Sequence, residues 1–581
     1  MPQKVRMSRL LPYVLNSRRL FVLGFGSMVA VTAGQLGGPL ILKSIIDDSI
    51  PKSDLGGMAL RAGAYFLLIV VMGILQWFSG ITIGRLGLEV VTRIKRELFG
   101  HFLALPVSYF DVHPVGELMS RTESDTERVK EFFSRTAIAL ATDLLLFVGI
   151  LAVCFTLDAR ITTWIAIIAP IVIAIVLVFF DRLRVYYERQ RELWAAVLAN
   201  VTEFLQGVEV LRAFGRIPWA IARLVTNSKA KRDNDSKSSM LEFGGMGALG
   251  FSMGPLFMAA AVAGLAPGIL AGTFTMGTLL VFLEYGRRLF EPIMAIAENI
   301  RSIQQARASL ARIDSILAIP GEPGGRGAEA RFEAEIEFRN VWFAYKEEEW
   351  VLKDLSFSIP RGSTIALVGP SGSGKSTTVG LLTRFYRPQR GQILVDGISL
   401  EDIDLKAWRR LVGLVLQESW LFPGSILENV RLYDESIPPE RVGTALAQVQ
   451  ALDFVGRQAG GMGAPIAEGG RNLSGGERQL LSFARAIVFE PSLVVLDEAT
   501  ASVDVRTERR IREGMSALLE GKTALIVAHR LSSVLDADTI LFFREGEIVA
   551  RGRHEELLSA FPEYAELVRL QFPDLEREAA R

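Results

Sequence analysis

Hydrophobic and polar positions are distributed very differently in the two halves of this chain. In the first half, long uncharged stretches alternate with long charged ones. Residues 20–42 and 62–84 carry no charge, 136–157 carry only Asp143, and 161–180 carry none. Residues 243–283 are again uncharged. A bilayer core takes about 20 apolar helical residues, so each of the first four stretches predicts one membrane span. The fifth is too long for one span, and Ala266-Pro267-Gly268 offers a turn. It divides into a fifth span at 243–265 and a sixth from about 275 to 296, giving six predicted spans. The connection between spans two and three is about 50 residues, and that between four and five about 60; both read as charged and helical. Helices reaching well beyond the bilayer fit that pattern.

The polar helical pattern of residues 299–318 stops at Pro320-Gly321-Glu322-Pro323-Gly324-Gly325. From Phe332 onward, short β-type runs alternate with helical stretches, the pattern of an α/β domain. The predicted organisation is a transmembrane domain over 1–320, a linker over 321–331 and a nucleotide-binding domain over 332–581.

Composition agrees with this division. Half of the residues are hydrophobic while 22% are charged, a combination explained by segregating the apolar residues into one half. Lys and Arg equal Asp and Glu at 64 each, which argues against a generally basic nucleic-acid binder. One cysteine, Cys154, excludes an intramolecular disulfide, and its apolar surroundings predict a packed or lipid-facing thiol. The four histidines have no metal-ligand spacing. Basic residues near the N-terminus precede no small-residue cleavage site, and residues 8–20 suit an amphipathic helix lying on a membrane surface.

Orientation follows from the basic residues. Arg85, Arg93, Lys95 and Arg96 follow span two, whereas Asp47, Asp48 and Asp54 with only Lys52 lie between spans one and two. The positive-inside rule then puts the N-terminus, and after six spans the second half, in the cytoplasm. Span six carries Glu284, Arg287, Arg288 and Glu291. Intramembrane charges are costly and mark candidate functional positions, although pairing at i+3 and i+4 explains these as well. Asp143 is likewise a candidate, with a position near the inner membrane boundary as the alternative reading.

In the second half, Ser363-Thr364-Ile365-Ala366-Leu367-Val368 reads as a strand, followed by Gly369-Pro370-Ser371-Gly372-Ser373-Gly374-Lys375-Ser376-Thr377. This is the GxxxxGK[ST] phosphate loop in its strand–loop–helix context. Gly369, Ser371, Gly372, Gly374 and Thr377 belong to a backbone cradle for phosphate oxygens, backed by a helix N-terminus. Lys375 neutralises the β- and γ-phosphates and the Ser376 hydroxyl ligates Mg²⁺. Leu493-Val494-Val495-Leu496-Asp497-Glu498 is an apolar strand ending in two acids. Asp497 suits holding Mg²⁺, and Glu498 suits polarising the attacking water. ATP and Mg²⁺ are therefore the predicted cofactors.

Leu473-Ser474-Gly475-Gly476-Glu477, about a hundred residues after the loop, resembles the signature of ABC ATPases. The resemblance implies further roles. Tyr345 corresponds to the aromatic that stacks on adenine, and Gln417 to the glutamine that senses Mg²⁺ and the γ-phosphate. Glu468 corresponds to an acid that touches the intracellular loops. Asp504, in Ser502-Val503-Asp504, belongs to the loop between paired ATPases, and His529 is the γ-phosphate switch histidine. Ser474, Gly475 and Gly476 contact ATP. Residues 110–121 and 203–214 resemble the two intracellular loops of ABC exporters. The chain departs from the commonest pattern at Glu477, where glutamine is usual, and at Val503 and Ser425.

The implied fold class is an α-helical six-span transmembrane domain plus an α/β P-loop ABC ATPase domain, an exporter half-transporter resembling bacterial multidrug and lipid exporters. One phosphate loop and one signature per chain imply a dimer, either a homodimer or a pairing with a paralogous subunit. The expected setting is the bacterial inner membrane, and the expected substrate a hydrophobic or amphipathic drug, lipid or conjugate. An importer with the same fold, or an anchored ATPase that gates or signals, are the alternatives.

Overall fold

The computed structural model describes residues 17–289, 291–324, 327–346, 349–497, 505–528 and 535–571. The chain divides into two units, one of Met1–Leu103 with Val115–Ile319 and one of Ala104–Pro114 with Pro320–Arg581.

The first unit is helical. Its described elements include Arg18–Ser44, Leu55–Ala104, Val115–Glu131, Ala137–Leu157, Ala159–Gln206, Ile217–Leu241, Ala248–Leu270, Met276–Leu289 and Glu291–Leu317. Among the described residues, Arg18–Ser49, Leu55–Ala104 and Val115–Leu157 are long and apolar enough to cross a membrane. The remaining three predicted spans fall on Ala159–Gln206, Ala248–Leu270 and the helices from Met276 onward. Leu55–Ala104 is 50 residues long, far more than a bilayer core needs. Leu60, Phe66, Leu67 and Trp77 in its first half are exposed, as lipid-facing residues are. Its second half buries Ile83, Leu86, Val90, Ile94, Leu98 and Phe102, a stripe at spacings of three and four.

One predicted turn is displaced. Helix Ala248–Leu270 runs through Pro267, and the turn comes at 271–275 instead of Ala266-Pro267-Gly268. Gly272 takes a left-handed φ of +73°. Its N–H donates to Ile269 O at 3.1 Å and that of Thr273 to Gly268 O at 2.8 Å. Those two bonds satisfy the helix's last carbonyls, and the glycine conformation they need decides where it stops. Asp47 then caps the next helix by accepting from Gly277 N–H at 2.9 Å and the Thr275 hydroxyl at 2.6 Å.

Inside this unit Asp125, only 4% exposed, accepts from Ser309 Oγ at 2.9 Å and from Arg312 Nε and Nη2 at 2.9 and 2.5 Å. This buried, fully partnered carboxylate ties Val115–Glu131 to Glu291–Leu317. Cys154 lies in a cluster with Leu146, Ile150, Leu265 and Phe282. It is a packed thiol.

The second unit is α/β. Its strands are β1 (Glu335–Ala344), β2 (Trp350–Pro360), β3 (Thr364–Val368), β4 (Arg390–Val395), β5 (Ile398–Ser399), β6 (Val412–Val415), β7 (Gly424–Ser425), β8 (Pro465–Ile466), β9 (Leu493–Asp497), β10 (Thr523–Val527), β11 (Thr539–Arg544) and β12 (Glu547–Gly552). One sheet has the order β2-β1-β4-β5 and is antiparallel. The main sheet has the order β12-β11-β3-β10-β9-β6, and every pair is parallel except β12 with β11. β9 and β10 are almost wholly apolar and buried, as central strands covered on both faces must be.

The Pro/Gly-rich linker is anchored. Glu322 N–H donates to Ala104 O at 2.7 Å, and Arg409 grips the Glu322 carboxylate through both terminal nitrogens at 2.8 and 2.6 Å. Ala328 pairs with Ile403. Ala104–Pro114, part of the first long connection by sequence, thus belongs to the ATPase unit and carries the short helix Val107–Val112. The second connection likewise carries a short helix, Val208–Ala213.

Candidate active site

The main sheet brings the predicted chemistry to one edge. Parallel strands present their C-terminal ends together, and ligands bind in α/β sheets outside those ends. Val527 lies beside Leu367 and beside Asp497, while Leu496 lies beside Val415. β3 therefore delivers the phosphate loop, β9 ends on Asp497, and β6 ends two residues before Gln417, all at the same edge. Glu498 and His529 follow β9 and β10 in sequence; these two residues and Asp504 lie outside the described residues.

Helix Lys375–Leu382 begins at Gly374, which sits at φ +102° with no side-chain cap. A Cβ there would meet Leu352 Cδ2 at 2.5 Å, so both conformation and space demand glycine. Lys375 is 5% exposed and curls back into the loop. Its Nζ donates to Gly369 O at 2.8 Å and Pro370 O at 2.7 Å, with Ser373 Oγ farther away at 3.4 Å. These contacts hold the ammonium inside the loop, with the Ser373 bond the longest of the three. Burial pushes the Lys375 pKa down, and the Asp497 carboxylate opposes that shift. Ser371, Gly372 and Ser376 are exposed. Thr377 is buried, and its hydroxyl bonds the Tyr345 hydroxyl at 3.1 Å.

Tyr345 is 52% exposed, so a ring face is available for stacking. Its edge is braced by Phe343 and Tyr386, with centroids 4.9 and 5.2 Å away in edge-to-face arrangements. The Tyr386 hydroxyl in turn donates to Asp111 Oδ2 at 2.8 Å. Burial, followed by this carboxylate, pushes the Tyr386 pKa up. Sequence reasoning missed Tyr386. Its partner is 275 residues away, and nothing in its local spacing marks it.

The hydroxyl of Ser376, the carboxylate of Asp497 and the amide oxygen of Gln417 are hard donors on adjacent segments. Among the described residues no cluster of three or more His, Cys, Asp and Glu could cage a metal. That donor set suits Mg²⁺, which is bound through one or two protein oxygens with water and substrate phosphates completing the shell.

The signature forms a second helix start. Ser474 is the N-cap of Gly475–Val488, and a complete capping box is present. The Glu477 carboxylate accepts from Ser474 N–H and from its hydroxyl, both at 2.9 Å, while Glu477 N–H donates to Ser474 Oγ at 3.3 Å. Glu477 is therefore the partner of the signature serine. Arg485 ties this helix to the segment after Gln417, donating to Trp420 O at 3.0 Å and Asn429 O at 3.1 Å. Glu468 is exposed in a short turn whose Gly469 N–H donates to Leu421 O at 3.1 Å.

Residues 21–293 match the family described as ABC transporter transmembrane region, and residues 352–501 the family described as ABC transporter. The probable multidrug resistance ABC transporter ATP-binding/permease protein YheH of Bacillus subtilis (strain 168) is 33% identical, covering 90% of this chain and 78% of that protein. The chain belongs to the ABC transporter family. An ATP-dependent lipid A-core flippase of Pseudoalteromonas atlantica is 32% identical, covering 96% of this chain and 97% of its own. The solved structure of a bacterial Atm1-family ABC exporter with ATP bound superposes with a TM-score of 0.79 at 27% identity, covering 96% of this chain and 99% of that one. This ABC transporter is an ATPase coupled to export, and the importer reading is set aside.

Proposed function

We propose that the chain is one half of a dimeric exporter in the bacterial inner membrane, with its N-terminus and ATPase unit in the cytoplasm. The functional domains are 1–320 and 332–581, joined through 321–331. ATP binds with its adenine on Tyr345 and its phosphates on the loop from Gly369 to Thr377. Ser376, Asp497 and Gln417 would hold Mg²⁺, which would supply neutralisation of the phosphate charge. Lys375 keeps a donor on the phosphates, Glu498 orients the water, and His529 contacts the γ-phosphate. Ser474, Gly475, Gly476 and Asp504 serve ATP held by the partner subunit, which is either a second copy or a paralogue. Closing the pair over ATP turns the substrate path outward, and hydrolysis resets it. The substrate is a hydrophobic or amphipathic drug, lipid or conjugate, a reading supported by relatives named for multidrug resistance and for lipid A-core.

The observation that carries this reading is the convergence of the phosphate loop, Asp497 and the Gln417 segment on one sheet edge. The test is Glu498→Gln in the full-length transporter. ATP binding should persist while steady-state hydrolysis falls about 100-fold or more. Near-normal turnover would overturn the role of Glu498. ATP-dependent dye accumulation in inside-out vesicles, lost in the same variant, tests direction and coupling together.

A further inference from the structure

Tyr345 is the first residue beyond β1, so whatever holds the end of that strand also places this ring. β1 pairs antiparallel with β4, with Trp342 opposite Arg390. Gln389 N–H then donates to Trp342 O at 3.0 Å. Continuing that register puts Pro388 opposite Ala344, and a proline has no N–H to donate. Yet Ala344 is only 6% exposed, so its main-chain groups need partners within the protein. The Gln389 side chain supplies them. Its Oε1 accepts from Ala344 N–H at 3.0 Å, and its Nε2 donates to Ala344 O at 2.7 Å. A carboxamide carries the same acceptor and donor as a peptide group, so it extends the ladder where the backbone cannot. The segment that ends in Gln389 also carries Tyr386, whose ring meets the Tyr345 ring edge-to-face.

We propose that Gln389 is a positioning residue for the nucleotide base, acting through Tyr345. It fixes the last residue of β1, so that the ring beyond it is already in place when the base arrives. Without it, two buried main-chain groups at Ala344 lose their partners, and the strand end relaxes toward water. Stacking must then order the ring as well as the base, so affinity for the base falls. Phosphate binding belongs to the loop from Gly369 to Thr377 and does not change.

The role rests on adenine stacking on Tyr345, and the experiment separates the two. It compares a ligand that has the base with one that lacks it, on the full-length transporter in lipid nanodiscs. ADP is measured by calorimetry and inorganic tripolyphosphate by competition against ADP, both with Mg²⁺. Gln389→Leu removes both side-chain bonds and should weaken ADP about three- to tenfold. Gln389→Glu keeps the acceptor but sets a carboxylate oxygen against Ala344 O, and should weaken ADP at least as much. Neither should change tripolyphosphate by more than about twofold. In turnover, the KM for ATP should rise by the ADP factor with kcat retained. Tyr345→Ala should weaken ADP about tenfold or more, again sparing tripolyphosphate. Unchanged ADP affinity in Tyr345→Ala would remove the stacking reading and the role of Gln389 with it. Weakened ADP in Tyr345→Ala but normal ADP in both Gln389 variants overturns the positioning role alone. Equal weakening of ADP and tripolyphosphate in the Gln389 variants also overturns it, because that marks a general loss of fold. Should Gln389→Leu fail to assemble, Gln389→Glu decides.

Discussion

Two helices of the ATPase unit start on glycine-rich motifs, and their first turns are completed in opposite ways. Lys375–Leu382 starts from left-handed Gly374 with no side-chain cap, and a buried lysine stands beside its first turn. Gly475–Val488 starts from Ser474, whose hydroxyl and N–H are both taken by Glu477 of its own chain. The first arrangement leaves backbone donors and a positive charge for an incoming phosphate. The second satisfies itself, so a phosphate gains the Ser474 hydroxyl only by displacing Glu477. An open turn beside a cation suits first capture of a nucleotide, and a capped turn beside a carboxylate suits later engagement. That order suits a half-site completed by another subunit.

The largest effect should come from Lys375→Ala, which removes the cation from the open turn. ATP-analogue affinity should fall about 10- to 100-fold, as expected for a lost charge-assisted bond. Unchanged affinity in a binding titration would erase the contrast. A smaller effect separates the two functions of Glu477. Glu477→Gln keeps a capping-box residue but removes the charge, so the KM for ATP should fall about threefold with the thermal midpoint held. Glu477→Ala should lower the midpoint as well, because the box is lost. If both variants behave alike, the carboxylate's charge is irrelevant to the second turn.

The smallest effect is with pH. Burial lowers the Lys375 pKa, so the ammonium loses its proton at a lower pH than an ordinary lysine. ATP favours the protonated form, so its affinity should weaken with rising pH earlier than titration of an ordinary lysine would cause. Binding titrations on the Glu498→Gln background would show the weakening, and it should vanish in Lys375→Ala. Persistence of the same slope would place the titration elsewhere.

Much of this was legible locally. GxxxxGKS after an apolar strand announces the open turn, because glycine, lysine and a helix start must follow one another in the chain. The capped turn also has a local mark, since Ser474 and Glu477 fit the S-x-x-E capping pattern. Viewing Glu477 only as a departure from the family's glutamine passes over it. The turn after the fifth predicted span misled because Pro267 looks like a stop. The Gly272 termination instead depends on bonds reaching back to Gly268 and Ile269. Tyr386 with Asp111, and Asp125 with Arg312, had no local mark, being separated by 275 and 187 residues.

By itself the sequence determined which stretches are apolar enough for lipid, where the chain changes from helical to α/β, and which motifs point to phosphate chemistry. These depend on composition and short spacing, and a chain displays both without folding. Tertiary structure alone decided that Ala104–Pro114 joins the ATPase unit and that Tyr386 braces the Tyr345 platform while bonding Asp111. It also decided that Gln35 meets Glu284 and the two arginines around one cavity. Each of these needs distant segments held at hydrogen-bond or van der Waals distance, which only the packed chain supplies.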